Sequence, residues 1–136
     1  MNDPAARQTL ENLGHALQRL KEALEVPADN TLAIDGTIQR FEFVIELFWK
    51  AFKRLLAAEG TITRTPRESL RAAFEAHWIQ NESVWLEMLD DRNLISHLYH
   101  EALARKVHAR IKKNFPQLQK TYRHLTERFG TSEGEE

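Results

Sequence analysis

Arg92, His97 and Tyr99 place a permanent cation, an imidazole and a phenol within the run Arg92-Asn93-Leu94-Ile95-Ser96-His97-Leu98-Tyr99. An arginine fork can grip a phosphate through two parallel hydrogen bonds. An imidazole can take or give a proton near neutral pH. Together they suit phosphodiester chemistry that needs no metal. The spacing alone is weak, because 12 arginines and 6 histidines in 136 residues give about 0.5 such pairs by chance at any fixed separation. The setting of these residues must decide.

The segment that carries them reads as a helix on which Trp85, Met88, Arg92, Ile95 and Tyr99 follow one heptad-like stripe. A guanidinium on such an apolar seam needs an anionic partner or a water-filled groove. Met88 and Ile95 would keep bulk water away and strengthen a phosphate contact there. His97 lies about 140° further round an ideal helix than Arg92, so the two side chains diverge on a straight helix. They converge if the helix ends near Ser96, or if a second copy of the motif approaches across a two-fold axis. Glu42 and Glu46 stand one turn apart on another helix, and an ion pair with Arg92 or Arg40 is expected of them before an acid–base role. Gln39 and Arg40 are expected to line the same cleft.

The pattern is helical nearly throughout. Asp3-Pro4 reads as an N-cap and first helical residue, followed by Leu10, Leu13, Leu17, Leu20 and Leu24. A second helix starts near Ile34 and carries Ile38, Phe41, Ile45, Phe48, Phe52 and Leu55, with Val44, Leu47 and Trp49 widening the seam. A helix apolar on more than one side should be central or shared with another subunit, so a dimer is expected. Gly60 is placed to end it. Thr65-Pro66-Arg67-Glu68 is a capping box for a third helix, with Leu70, Phe74 and Trp78 facing inward. Asn81 should cap the fourth. A fifth is expected from about Glu101 to Asn114, where Pro116 breaks it and opens a short sixth ending at Gly130. The reading is an all-α, up-and-down bundle of five to six helices in one domain over residues 1–130, with a disordered acidic tail over 131–136.

Composition fits a globular protein with a real core: 42% hydrophobic, 29% charged and no cysteine. That composition excludes a disulfide framework and thiolate chemistry. No signal-peptide pattern and no membrane-length apolar run are present, so a soluble, cytoplasmic protein is expected. The net charge of −1 argues against a general nucleic-acid coat, although residues 101–128 are locally basic. His97, His100 and Glu101 offer one helical ligand pair and no second cluster to complete it. No metal and no cofactor are therefore expected. His77, His108 and His124 read as ordinary surface residues, and the three tryptophans as core or dimer seam.

Several ordered segments together resemble a known family. They are Ile38-Gln39-Arg40-Phe41-Glu42-Phe43, Glu46-Leu47-Phe48-Trp49-Lys50, Thr65-Pro66-Arg67-Glu68, Arg71-Ala72-Ala73-Phe74, Trp85-Leu86-Glu87-Met88-Leu89 and Arg92-Asn93 through Glu101. Over about residues 8–128 the chain resembles the HEPN (higher eukaryotes and prokaryotes nucleotide-binding) superfamily, and within it the nucleotidyltransferase substrate-binding proteins. Those are similar to the toxin half of HEPN/minimal-nucleotidyltransferase (HepT/MntA-type) toxin–antitoxin pairs. The resemblance implies a homodimer whose two R-x4-H motifs line one cleft and cut RNA without a metal. On this chain His97 would be the general base, Arg92 the phosphate stabiliser and Asn93 a group that orients a phosphate or the imidazole. It further implies that a minimal nucleotidyltransferase partner adenylylates Tyr99, which completes R-x4-H-x-Y, and so neutralises the nuclease. The alternative is a non-catalytic subunit that presents substrate to that nucleotidyltransferase.

Overall fold

A computed structural model describes residues 4–130, and the chain is an all-α bundle of five helices. In order these are α1 (Pro4–Leu24), α2 (Thr31–Ala58), α3 (Pro66–Glu75), α4 (Glu82–His97) and α5 (Glu101–Leu125). A π-helical turn over Thr126–Gly130 follows. Asp3, expected as the first cap, lies outside the described residues, as does the acidic stretch 131–136.

Side-chain caps set the helix starts. Asn30 accepts from the backbone N–H groups of Leu32 and Ala33, so α2 begins upstream of the point where its apolar stripe starts at Ile34. Thr65 accepts from the Glu68 N–H at 3.1 Å, and Glu68 reaches back to the Arg64 N–H at 2.8 Å, closing the expected box one residue further out than usual. Asn81 caps α4 through the Val84 N–H. α3 stops at Glu75 with a left-handed residue, His77 at φ +67°. The bonds Trp78 N–H to Ala73 C=O and His77 N–H to Phe74 C=O close a Schellman motif there.

Three expectations about the elements are corrected. Pro116 does not break α5, which runs through it. Pro116 and Lys112, whose carbonyl loses its helical partner, are both exposed, so water can take the freed bond while Phe115 and Leu118 hold the other face in the core. The sixth helix shrinks to the π-helical turn. Phe74 is 38% exposed, because the reversal at His77 hands the inner position to Trp78.

α2 lies at the centre and packs against all four other helices. Its Phe41, Phe48 and Phe52 are fully buried, each such burial contributing about 1.5–3 kcal/mol. Phe48 and Phe52 meet Trp85 of α4 edge-on, at centroid distances of 4.9 and 5.6 Å, and Phe129 of the π-helical turn closes on Trp78 at 5.2 Å. Trp78 and Trp85 are thus core, as expected. Trp49 is not, since it is only half-buried at the surface of α2. This arrangement anchors the middle of α4 against α2, leaves Arg92 half-buried beyond it and brings His97, the last residue of the helix, to the surface.

Candidate active site

On α2 the residues Asp35, Gln39, Glu42 and Glu46 recur at three- and four-residue steps and so share one stripe. α4 crosses this stripe near its downstream end. Arg92 is half-buried there, and its Nη2 donates to Glu46 Oε1 at 2.6 Å while Nη1 donates to Asn93 Oδ1 at 3.2 Å. The anionic partner that the seam required is therefore Glu46, and Asn93 steadies the guanidinium rather than the imidazole. Gln39, Arg40, Glu42, Phe43 and Arg92 all line a cleft of about 610 Å³ over α2. Arg40 is tied to α1 by a 2.7 Å bond from Nη1 to the Arg19 carbonyl.

Glu46 serves three donors. Besides Arg92, its Oε1 accepts from Trp49 Nε1 at 3.3 Å and its Oε2 pairs with Lys50 Nζ at 3.0 Å. Burial pushes its pKa up, but Lys50, Trp49 and Arg92 together outweigh that and leave it below the usual 4.5. Glu42, one turn away, keeps a raised pKa: burial dominates and the charge of Arg92 only partly offsets it. A carboxylate held ionised thus fixes the arginine, and a second one beside it resists ionisation.

His97 is the last residue of α4, and the Leu98 N–H bonds back to the Leu94 carbonyl at 2.9 Å. Its imidazole is exposed and has no hydrogen bond or ion pair to another described residue. The helix does end where convergence would require it. Yet Arg92 turns toward α2 and His97 toward solvent, so one chain does not bring the two together. Tyr99 is 49% exposed and its hydroxyl donates to Asp35 at the start of α2. Burial, the Asp35 bond and charge, and the charge of Glu42 push its pKa up to about 12. The phenol borders a separate small pocket with Thr31, Ile34, Asp35 and Arg105, not the Arg92 cleft itself.

Other side chains had no legible partner in the sequence. His100 caps α5, its Nδ1 accepting from the Leu103 N–H at 3.3 Å, and Glu101 pairs with Arg105 at 3.0 Å. His100 and Glu101, which neighbour His97 in the sequence, thus bond to groups of α5, and no group of three or more metal-type ligands occurs among the described residues. Asp91, next to Arg92, is buried and takes a two-pronged grip from Arg110 of α5, at 2.8 and 2.7 Å. His108, expected at the surface, is instead 6% exposed in the α5 core face. Burial first, then Lys112 and Arg105, hold its imidazole below the ordinary 6.5.

Residues 8–127 match the family model described as nucleotidyltransferase substrate binding protein like, and the chain belongs to that family. A protein of Haemophilus influenzae named "Probable ribonuclease HepT" is 37% identical over 83 residues, an alignment covering 57% of this chain. The chain spans only 57% of that relative's length. A crystal structure of a Thermus thermophilus protein superposes with a TM-score of 0.71 at 31% identity, covering 85% of this chain and 97% of that one. Among the described residues no helix is long and apolar enough to cross a membrane.

Proposed function

We propose that the protein is a HEPN-type toxin, a metal-independent endoribonuclease that works with a minimal nucleotidyltransferase in the cytoplasm. The observation that carries the reading is the pairing of an oriented guanidinium at a cleft wall with an unpartnered imidazole five residues on, at the end of the same helix. Two of the guanidinium's five N–H donors are committed to Glu46 and Asn93, which leaves others for a phosphate. His97 takes the proton of a ribose 2′-hydroxyl as that oxygen attacks the adjacent phosphorus. The 5′-oxygen leaves as a hydroxyl, taking a proton from the imidazolium or from water, and a 2′,3′-cyclic phosphate remains. Arg92 stabilises the charge that builds on the phosphoryl oxygens, and the general base supplies roughly 10²–10⁴-fold.

A second copy completes the site. Exposed Phe43 beside the cleft, with Leu94 and Leu98 around His97, offers the apolar surface for a two-fold seam that brings the partner's motif to Arg92. Adenylylation of Tyr99 removes its hydroxyl donor and sets a phosphodiester anion against Asp35 and Glu42. Repulsion from those carboxylates drives the modified loop off α2 and disturbs His97 two residues before it.

One observation favours the other reading, a substrate-binding subunit without turnover: Glu46 already occupies Arg92. RNA cleavage in the presence of chelator decides between them, with Arg92→Ala and His97→Ala alongside. Cleavage that survives chelation and vanishes in both folded variants upholds the ribonuclease. An unmodified, adenylate-free protein that cuts no RNA across a broad panel upholds the binding subunit.

A further inference from the structure

Beside the Arg92 cleft lies a second and larger groove, about 740 Å³, between α1 and α2. On α2 it is lined by Leu47, Trp49, Lys50, Lys53, Arg54 and Ala57, and the Glu46 carboxylate is bonded to Trp49 and Lys50 at its edge. Lys53 and Arg54 are exposed and have no ion pair with another described residue. On a chain of net charge −1 this is a local concentration of uncompensated positive charge. Trp49 presents a half-buried ring within it, and Lys53 Nζ stands 6.0 Å from the ring centroid. That is the far limit of a cation–π contact, so the ammonium is a loose neighbour that a phosphate can draw away.

Glu46 joins the two cavities. A single oxygen, Oε1, accepts from Arg92 at 2.6 Å and from Trp49 at 3.3 Å, so those two nitrogens stand within about 6 Å of each other. A nucleotide next to a phosphate held by Arg92 would have the indole within reach, with the Glu46 carboxylate lying between the two nitrogens.

We propose that this groove is a binding subsite for single-stranded RNA, with Lys53 and Arg54 on backbone phosphates and Trp49 stacking the base next to the phosphate held by Arg92. The proposal rests on the ribonuclease reading and adds to it where the strand runs. A cationic track beside an aromatic platform is the chemistry by which single strands are held without sequence readout. Paired RNA keeps its base faces covered and gains only the phosphate contacts. The subsite therefore favours unpaired over duplex RNA.

The test uses the full chain with His97→Ala, so that RNA stays intact, and a fluorescein-labelled 12-mer of uridine followed by anisotropy across a salt series. Lys53→Glu with Arg54→Glu should weaken binding at least ten-fold and lower the salt slope by about 1.4, two phosphate contacts at about 0.7 each. Trp49→Leu should lose about ten-fold while Trp49→Phe keeps most of the affinity. Lys112→Glu with Lys113→Glu, exposed on α5, should change neither quantity. The double Lys53/Arg54 variant alters only exposed side chains, so it reports even if Trp49→Leu does not fold. Unchanged affinity and slope in that variant, with binding still lost in Arg92→Ala, would overturn the subsite and leave the ribonuclease reading standing. Failure of every form to bind the 12-mer would sink both. If the double variant instead halves the mass in light scattering and leaves RNA affinity intact, the groove is a self-association surface and the proposal is wrong.

Discussion

Replacing Arg110 with Met should destabilise the protein by about 2 kcal/mol, because it strands the carboxylate of Asp91. The Asp91 side chain is 10% exposed, and both of its oxygens are occupied by Arg110, at 2.8 and 2.7 Å. No other described side chain bonds to it. Met fills much of the volume of the arginine stem but leaves a nearly buried carboxylate without a donor. Breaking a fully buried pair in this way costs about 3–5 kcal/mol. The Arg110 side chain is 34% exposed, so water can partly take its place, and the expected loss falls to about 2 kcal/mol. For a chain of this size that lowers Tm by about 6–10 °C. Urea unfolding followed by tryptophan fluorescence reads the free energy, and calorimetry reads the midpoint. Arg110→Met with Asp91→Leu removes both charges and should recover most of the loss, since an apolar pair of similar size tolerates the site. A loss under about 0.5 kcal/mol in Arg110→Met, or a double variant no better than the single, would refute this account of how α4 is locked to α5.

Three further outcomes follow from the same geometry. Glu42 has a folded pKa above 4.5, so its ionisation opposes folding; the penalty is absent well below pH 4.5 and present once pH rises through the folded value. Glu42→Gln should therefore raise the urea midpoint at pH 7, and the gain should vanish by about pH 3.5. His108 has a folded pKa below 6.5, so the unfolded chain takes up the proton first; stability is full above pH 6.5 and drains as pH falls below it. Urea midpoints between pH 8 and 5 should show that slope, and His108→Leu should flatten it. His77 holds φ +67° at the end of α3, and His77→Gly should stabilise by about 0.5–1 kcal/mol in thermal melts by relieving the left-handed backbone.

The helical class was legible because apolar residues recur at three and four throughout, and the starts of α3 and α4 because Thr65, Pro66, Glu68 and Asn81 signal through local bonds. Pro116 misled because the buried Phe115 and Leu118 hold α5 helical through the lost bond and the ring clash, and that packing is set by the fold. The need of Arg92 for an anion was legible from its position on an apolar stripe. Glu46 stood out as a candidate because it shares a face with Glu42. The grips of Asp35 on Tyr99 and Arg110 on Asp91 were not legible. Each joins residues on different helices, and which faces meet depends on how the helices are rotated and staggered. His108 was misplaced for the same reason: one polar residue among Val107, Ile111 and Phe115 declares no side until α5 docks.

The π-helical turn has a consequence for how the chain can be cut and joined. It lays Gly130 close against Leu10, so the far end of the described chain returns to the helix where that chain starts. Pro4 is only about 9 Å along the helix from that contact. A short tether between the two ends would strain nothing, and new termini could be opened in the exposed turn after α2. A permuted protein of this kind would keep every core neighbour. It would also change the order of assembly, because in the natural order α1 precedes the other described helices yet meets its last neighbours only when α5 and the turn arrive.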